Sequence, residues 1–166
     1  SRFQLVAAMN PCRCGYLGDA SRECGQAPRC GENYQNRISG PLLDRIDLTV
    51  EVQPATAAEL SRAPPGEASA LVAARVARAR AAQRARFGPE GAASNAEADA
   101  TRLDMQAEAR ALLERAAEQL RLSPRGYART LRVARSIADL GQAPVIRRQD
   151  VAEALAFRHR MPGRKA

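Results

Sequence analysis

The sequence has 166 residues, 45% of them hydrophobic and 27% charged, with a formal charge of +8. That length suits one domain or two small pieces, and no stretch approaches the roughly eighteen uninterrupted apolar residues of a membrane helix, so a soluble chain without a membrane partner is expected. The one lysine, Lys165, is followed by Ala166; a GxxxxGK(S/T) phosphate loop needs Ser or Thr there, so the chain cannot be a self-sufficient P-loop enzyme.

The charge is uneven. Residues 1–66 are neutral overall, residues 67–122 carry +1 and residues 123–166 carry +7. The abundance of arginine and alanine can reflect a GC-rich genome, so arginine alone is no nucleic-acid signal.

In chain order, residues 3–9 (FQLVAAM) form an apolar run that reads as a buried strand. Ser1 rather than Met, directly ahead of a strand, gives the expectation of an excised piece of a longer protein. No signal peptide is visible, so a cytoplasmic setting is expected. Cys12, Cys14, Cys24 and Cys30 all fall in a glycine- and turn-rich stretch without apolar periodicity. A loop that long buries no core and needs another source of order. Residues 38–45 read as a short helix or turn, and residues 46–52 (IDLTVEV) alternate apolar and polar as a half-buried strand does. Residues 54–66, with Pro64-Pro65-Gly66, read as a linker.

From Glu67 the pattern turns helical. Leu71, Val72, Val76, Ala79 and Phe87 mark one face of a helix that ends at Gly88-Pro89, with Arg75, Arg78, Arg80, Arg84 and Arg86 around the rest. Residues 90–101 read as a loop. A second helix over about residues 104–122 faces inward with Met105, Ala109, Leu112, Leu113, Ala116 and Leu120. A third has Ser123 as N-cap, Pro124 at its first position and Gly141 past its end. Tyr127, Leu131, Ala134, Ile137 and Ala138 face inward and Arg125, Arg129, Arg132 and Arg135 outward. A last helix over about residues 148–159 buries Val151, Leu155 and Phe157. The whole reads as a strand-containing N-terminal piece followed by a small helical bundle.

Four thiolates can complete a tetrahedral zinc site, and a structural zinc contributes folding free energy that such a loop needs. The spacing, a CxC followed by Cys24 and Cys30, is not that of a zinc ribbon, so free thiols or disulfides stay open. Asn10 ends the first strand, where ligands bind in open α/β sheets, although Asn-Pro is also an ordinary turn. Arg45, between Asp44 and Asp47, either reaches a phosphate of a neighbouring subunit or forms a local ion pair. Arg125 sits in the first turn of its helix, where the macrodipole disfavours a cation; an anionic partner such as phosphate explains it, as does simple solvation. The arginines of residues 75–86 read as a solvated face or a DNA contact. His159 reads as a surface residue.

Together, AAMNPCRCGYLGD ending at Asp19, Tyr34, RISGPLLDRIDL around Arg45, SPRGY around Arg125 and VARSIADL ending at Leu140 resemble the C-terminal third of the ComM/YifB-type, magnesium-chelatase-like AAA+ ATPases. The resemblance covers almost the whole chain. It implies a mainly α fold with a small β part: residues 1–55 as the last strands of an AAA+ α/β core with a cysteine-rich loop, residues 56–66 as linker and residues 67–166 as a C-terminal helical lid. By the same resemblance Asn10 is sensor 1, Arg45 the arginine finger acting in a ring, most simply a hexamer, and Arg125 sensor 2, all serving ATP with Mg. Relatives usually carry a second CxC ending where this chain has Gln26; Cys30 takes that place here. The family implies ATP-driven branch migration on DNA, with a zinc-stabilised nucleic-acid-binding module and a chelatase-like remodeller as the rival readings. Without Walker A and B motifs, the chain alone is not expected to hydrolyse ATP.

Overall fold

The computed structural model describes residues 3–19, 21–88 and 94–158. The described residues up to Arg45 form one compact unit and those from Ile46 onward a second.

In the first unit two short helices follow the cysteine-rich turns. Helix α1 (Arg29–Gln35) sits in the stretch expected to be loop. Helix α2 (Gly40–Leu43) starts at Ser39, whose hydroxyl accepts from the Leu42 N–H, with Pro41 in its first turn.

The second unit is helical. Helix α3 (Ala57–Arg62) lies within the stretch read as linker and is closed by a Thr56–Glu59 capping box, yet every one of its residues is exposed. Helix α4 (Ser69–Phe87), a 3₁₀ turn (Ala100–Arg102), α5 (Ala107–Gln119), α6 (Pro124–Leu140) and α7 (Arg148–Phe157) follow. Helix α6 packs on both α4 and α7, and α5 packs on α7. Leu103, Leu113, Leu131, Ile146 and Val151, with Ala98, Ala109, Ala134 and Ala154, form the core. Four alanines among nine residues let helix backbones approach closely while larger side chains fill the centre.

Helix α6 begins and ends where its punctuation puts it. The Ser123 hydroxyl accepts from the Gly126 N–H at 2.9 Å, and Gly141 closes the far end. Leu131, Ala134 and Ala138 are buried, and Tyr127 and Ile137 half-buried, as the periodicity requires. Helices α5 and α7 are shorter than expected by a few residues, as fraying ends allow; His159 and residues 90–93 lie outside the described residues.

Three expectations need correction. Neither strand forms: residues 3–9 and 46–52 are extended chain, and the only β-pairing among the described residues is one parallel bridge between Met105 and Ile146. An apolar run becomes a strand only when a neighbour supplies N–H and C=O partners. No described segment does so, and Phe3, Val6, Val50 and Val52 stay 81%, 85%, 66% and 86% exposed. On α4 only the C-terminal part of the apolar stripe is covered: Ala79 and Gln83 are buried and Phe87 packs on the core, whereas Leu71, Val72 and Val76 are exposed. Arg135, placed on the outward face of α6, is buried with 1% exposure.

Candidate functional site

The cysteine-rich unit is organised by turns. Gly15 and Gly18 take φ of 85° and 92°, left-handed values that side chains resist, and thereby fold the chain back on both sides of Tyr16. The Gly15 N–H donates to the Cys12 sulfur at 3.2 Å, and the Cys12 and Cys14 sulfurs lie 3.1 Å apart. Helix α1 brings in Cys30 from its first turn. The buried Gln35 at its end donates from Nε2 to the Pro11 carbonyl at 2.8 Å, fastening the helix to the chain just before Cys12.

The sulfurs of Cys12, Cys14 and Cys30 all lie within 4.8 Å of one another. Cys24 falls outside that group but keeps thiol hydrogen bonds with Cys30 and Cys14. So the displaced Cys30 joins the CxC pair, and Cys24 is the outlying member. All four thiols are free.

Their acidities are unequal. The hydrogen bond from Cys12, then the Tyr16 backbone N–H, lowers the Cys14 thiol, and the Gln26 N–H, then Cys30 and Cys14, lower Cys24. Burial, followed by the hydrogen bond and charge of Cys24, pushes Cys30 up to about 12. Since the thiolate is the metal-binding form, the unit contains two cysteines disposed to ionise and one that needs a cation to lose its proton. Three sulfurs this close, with a fourth adjoining, fit a soft divalent ion of tetrahedral preference.

Asn10 is exposed at the end of the extended N-terminal chain. Arg45 follows α2, is exposed and donates from Nη1 to the Pro41 carbonyl at 2.7 Å. Asp47 pairs with Arg129 of α6. Arg125 is the second residue of α6 and is exposed. The first two belong to one unit and Arg125 to the other.

Among the described residues nothing pairs with Arg125, whereas the other three arginines of α6 are engaged. Arg129 holds Asp47, Arg132 donates from Nε to the Ala98 carbonyl at 3.0 Å, and Arg135 pairs with Asp139 at 2.9 Å and reaches the Ala143 and Pro144 carbonyls.

The sequence reading passed over the network centred on Asp139. This buried carboxylate accepts from Arg135, from Arg86 of α4 and from Asn95 Nδ2 at 2.8 Å. Asn95 also donates to Ser136 Oγ at 3.1 Å and accepts from Arg86 Nη1 at 3.2 Å. The signal lay in the Arg135–Asp139 spacing of four, which places opposite charges one turn apart on a helix.

A helical bundle whose leading helix offers one unpaired arginine at its N-terminus, together with a thiol-rich unit, defines the class to which known proteins can be compared. Residues 66–158 match the family described as magnesium chelatase, subunit ChlI C-terminal, and residues 1–60 match magnesium chelatase, subunit ChlI. Across 95% of its length the chain is 39% identical to YifB of Escherichia coli (strain K12), and also 39% identical to competence protein ComM of Haemophilus influenzae. It is 37% identical to YifB of Salmonella typhimurium over the same share. The chain therefore belongs to the magnesium-chelatase-like AAA+ family of the ComM/YifB type. It spans 31% of the length of each of these relatives.

Proposed function

We propose that the chain is the nucleotide-responsive C-terminal part of an AAA+ ATPase that binds and hydrolyses ATP with Mg in a ring of its own copies, most simply a hexamer. In this reading Asn10 orients the attacking water near the γ-phosphate. Arg45 meets the charge developing on the phosphoryl group of a neighbouring subunit's ATP, and Arg125 contacts the bound nucleotide and couples it to movement of the bundle. The observation that carries the reading is Arg125. A helix N-terminus repels a cation, the other arginines of its helix find partners within the chain, and this one faces outward where an anion would satisfy both it and the helix dipole.

In the whole protein, Arg45→Ala is expected to abolish ATP hydrolysis while leaving ATP binding intact, because a finger acting in trans stabilises the transition state and not the bound substrate. Turnover at the normal rate would overturn the assignment. We further propose that Cys12, Cys14 and Cys30, with Cys24 as the fourth, hold zinc, which supplies a structural cross-link to a unit without an apolar core.

DNA is the substrate we propose for the whole protein, a reading supported by its similarity to a protein named for competence. Stimulation of ATP hydrolysis by DNA supports it; stimulation by a protein or porphyrin complex instead supports chelatase-like remodelling. A free-standing DNA-binding module built on the basic C-terminal helices loses ground, since Arg129, Arg132 and Arg135 are spent on contacts within the chain.

A further inference from the structure

The chain that leaves Arg45 is fastened to the helical unit at three points within four residues. The Asp47 carboxylate pairs with Arg129 of α6. Arg158, just past α7, donates from Nη1 to the Ile46 carbonyl at 3.0 Å, and the Thr49 N–H donates to the Phe157 carbonyl at 3.0 Å. Apolar burial does not explain this seating, because Leu48 and Val50 between and beside these points are exposed. Directional polar contacts hold the segment instead, and such contacts fix position more than they add stability.

Arg129 lies four residues after Arg125 on α6, one turn along the same side of the helix. Helix α6 is braced along its length by the core and by the Arg135–Asp139 pair, so its first and second turns move as one body. At the other end of the pair, two residues of extended chain span at most about 7 Å, so Asp47 is a short tether from Arg45.

We infer that Asp47 is a positioning residue for Arg45, and that the Asp47–Arg129 pair carries movement of the helix led by Arg125 to the arginine that acts in the neighbouring subunit. This rests on the reading of Arg45 and Arg125 as nucleotide-facing groups. The nucleotide occupancy of one subunit would thereby set the aim of its arginine toward the next, and the coupling runs through a single exposed ion pair.

The test is made in the whole protein with Asp47→Asn, Arg129→Gln and the exchange of Asp47→Arg with Arg129→Asp. Each single change is expected to lower kcat for ATP hydrolysis about tenfold or more, as misplacement of a transition-state group does. KM for ATP should stay within about twofold, since the pair touches no substrate. The melting temperature should hardly move, because exposed ion pairs add little to stability. The exchange, which restores the pair in reverse, is expected to recover most of the rate. Wild-type kcat in both single variants overturns the inference, as does a loss that the exchange fails to recover. Arg45→Ala assayed beside them separates the two levels. If it is inactive while the single variants are normal, only the coupling fails; if it hydrolyses ATP normally, the finger reading fails and the coupling with it.

Discussion

Asp139 holds two guanidiniums and an amide in a place that water does not reach: Arg135, Arg86 and Asn95 all donate to it, and its own exposure is 1%. Burial by itself raises a carboxyl pKa; here the hydrogen bonds from Arg86 and Asn95 and the charge of Arg135 outweigh it and hold Asp139 below the ordinary carboxylate value. Burial lowers the pKa of Arg135, reinforced by Arg86 and opposed by Asp139, though an arginine stays charged at any ordinary pH. Replacing the whole cluster by apolar side chains of similar volume need not destabilise the unit, but removing one member leaves uncompensated charge inside it. Asp139→Ala is therefore expected to cost about 3–5 kcal/mol, read from urea unfolding of the full chain. The pH dependence follows in sign. Because the folded pKa is depressed, the contribution of Asp139 is complete above the unfolded carboxylate pKa, near 3.8, and is lost as pH falls from there through the lower folded value. Titration of stability between pH 7 and pH 2 should show an acid-side loss that Asp139→Asn removes.

At the scale of elements, α6 is the member whose local chemistry and tertiary role agree most closely. Its N-cap hydroxyl accepts from the Gly126 N–H at 2.9 Å, so Ser123→Ala should cost about 1 kcal/mol of stability in thermal or denaturant unfolding, with the larger effect expected in hydrogen exchange of the first turn. Ser123, Pro124 and Gly141 made both ends legible because capping depends on the few residues at each end. The same helix shows where periodicity misleads. At 100° per residue, Arg135 sits about 80° from Arg125 around the helix, nearer the seam with Leu131 and Ala138 than the outer face. Its charge suggested solvent, and the carboxylate that makes burial tolerable comes from its own helix with support from Arg86 on α4. The strands were misread for a different reason. Apolar alternation in residues 46–52 is a correct reading of local pattern, but pairing is a property of two segments, and no described segment pairs with this one. Helix α1 escaped notice because its seven residues show no apolar periodicity; it is placed by the cysteines before it and by Gln35 on the Pro11 carbonyl. Of the candidate residues, the four thiols were legible as a cluster from composition alone. That Cys30 and not Cys24 joins the CxC pair depends on the turns at Gly15 and Gly18 and on the position of α1, which no spacing rule contains.

At the scale of the molecule the two units draw their order from different sources. The unit from Ile46 onward has a buried core of leucine, isoleucine, valine and alanine and needs no other ligand to hold it. The unit before it buries few large apolar side chains; its interior consists of Cys12, Gly31 and Gln35, with Leu17 pressed against the Gly31 backbone so closely that a Cβ there would lie 2.5 Å from Leu17 Cδ2. So small an interior does not offset the entropy of ordering some thirty residues of turns and loop. If zinc supplies the difference, its removal should loosen one unit and spare the other. Purified under reducing conditions without chelator, the protein is expected to carry about one zinc per chain by elemental analysis, as a four-thiolate site binds one ion. Stripping the metal should raise hydrogen exchange across residues 12–35 while leaving α5, α6 and α7 protected, because their amides are closed by helix bonds over an apolar core. Cys12→Ser, Cys14→Ser and Cys30→Ser should each reproduce that pattern without chelator. Cys24→Ser should weaken the metal less, in keeping with a sulfur that lies outside the group of three. Metal-free protein with unchanged exchange in residues 12–35 would mean that the thiols and turns order this unit by themselves, and the zinc proposal would fall while the helical unit's account stood.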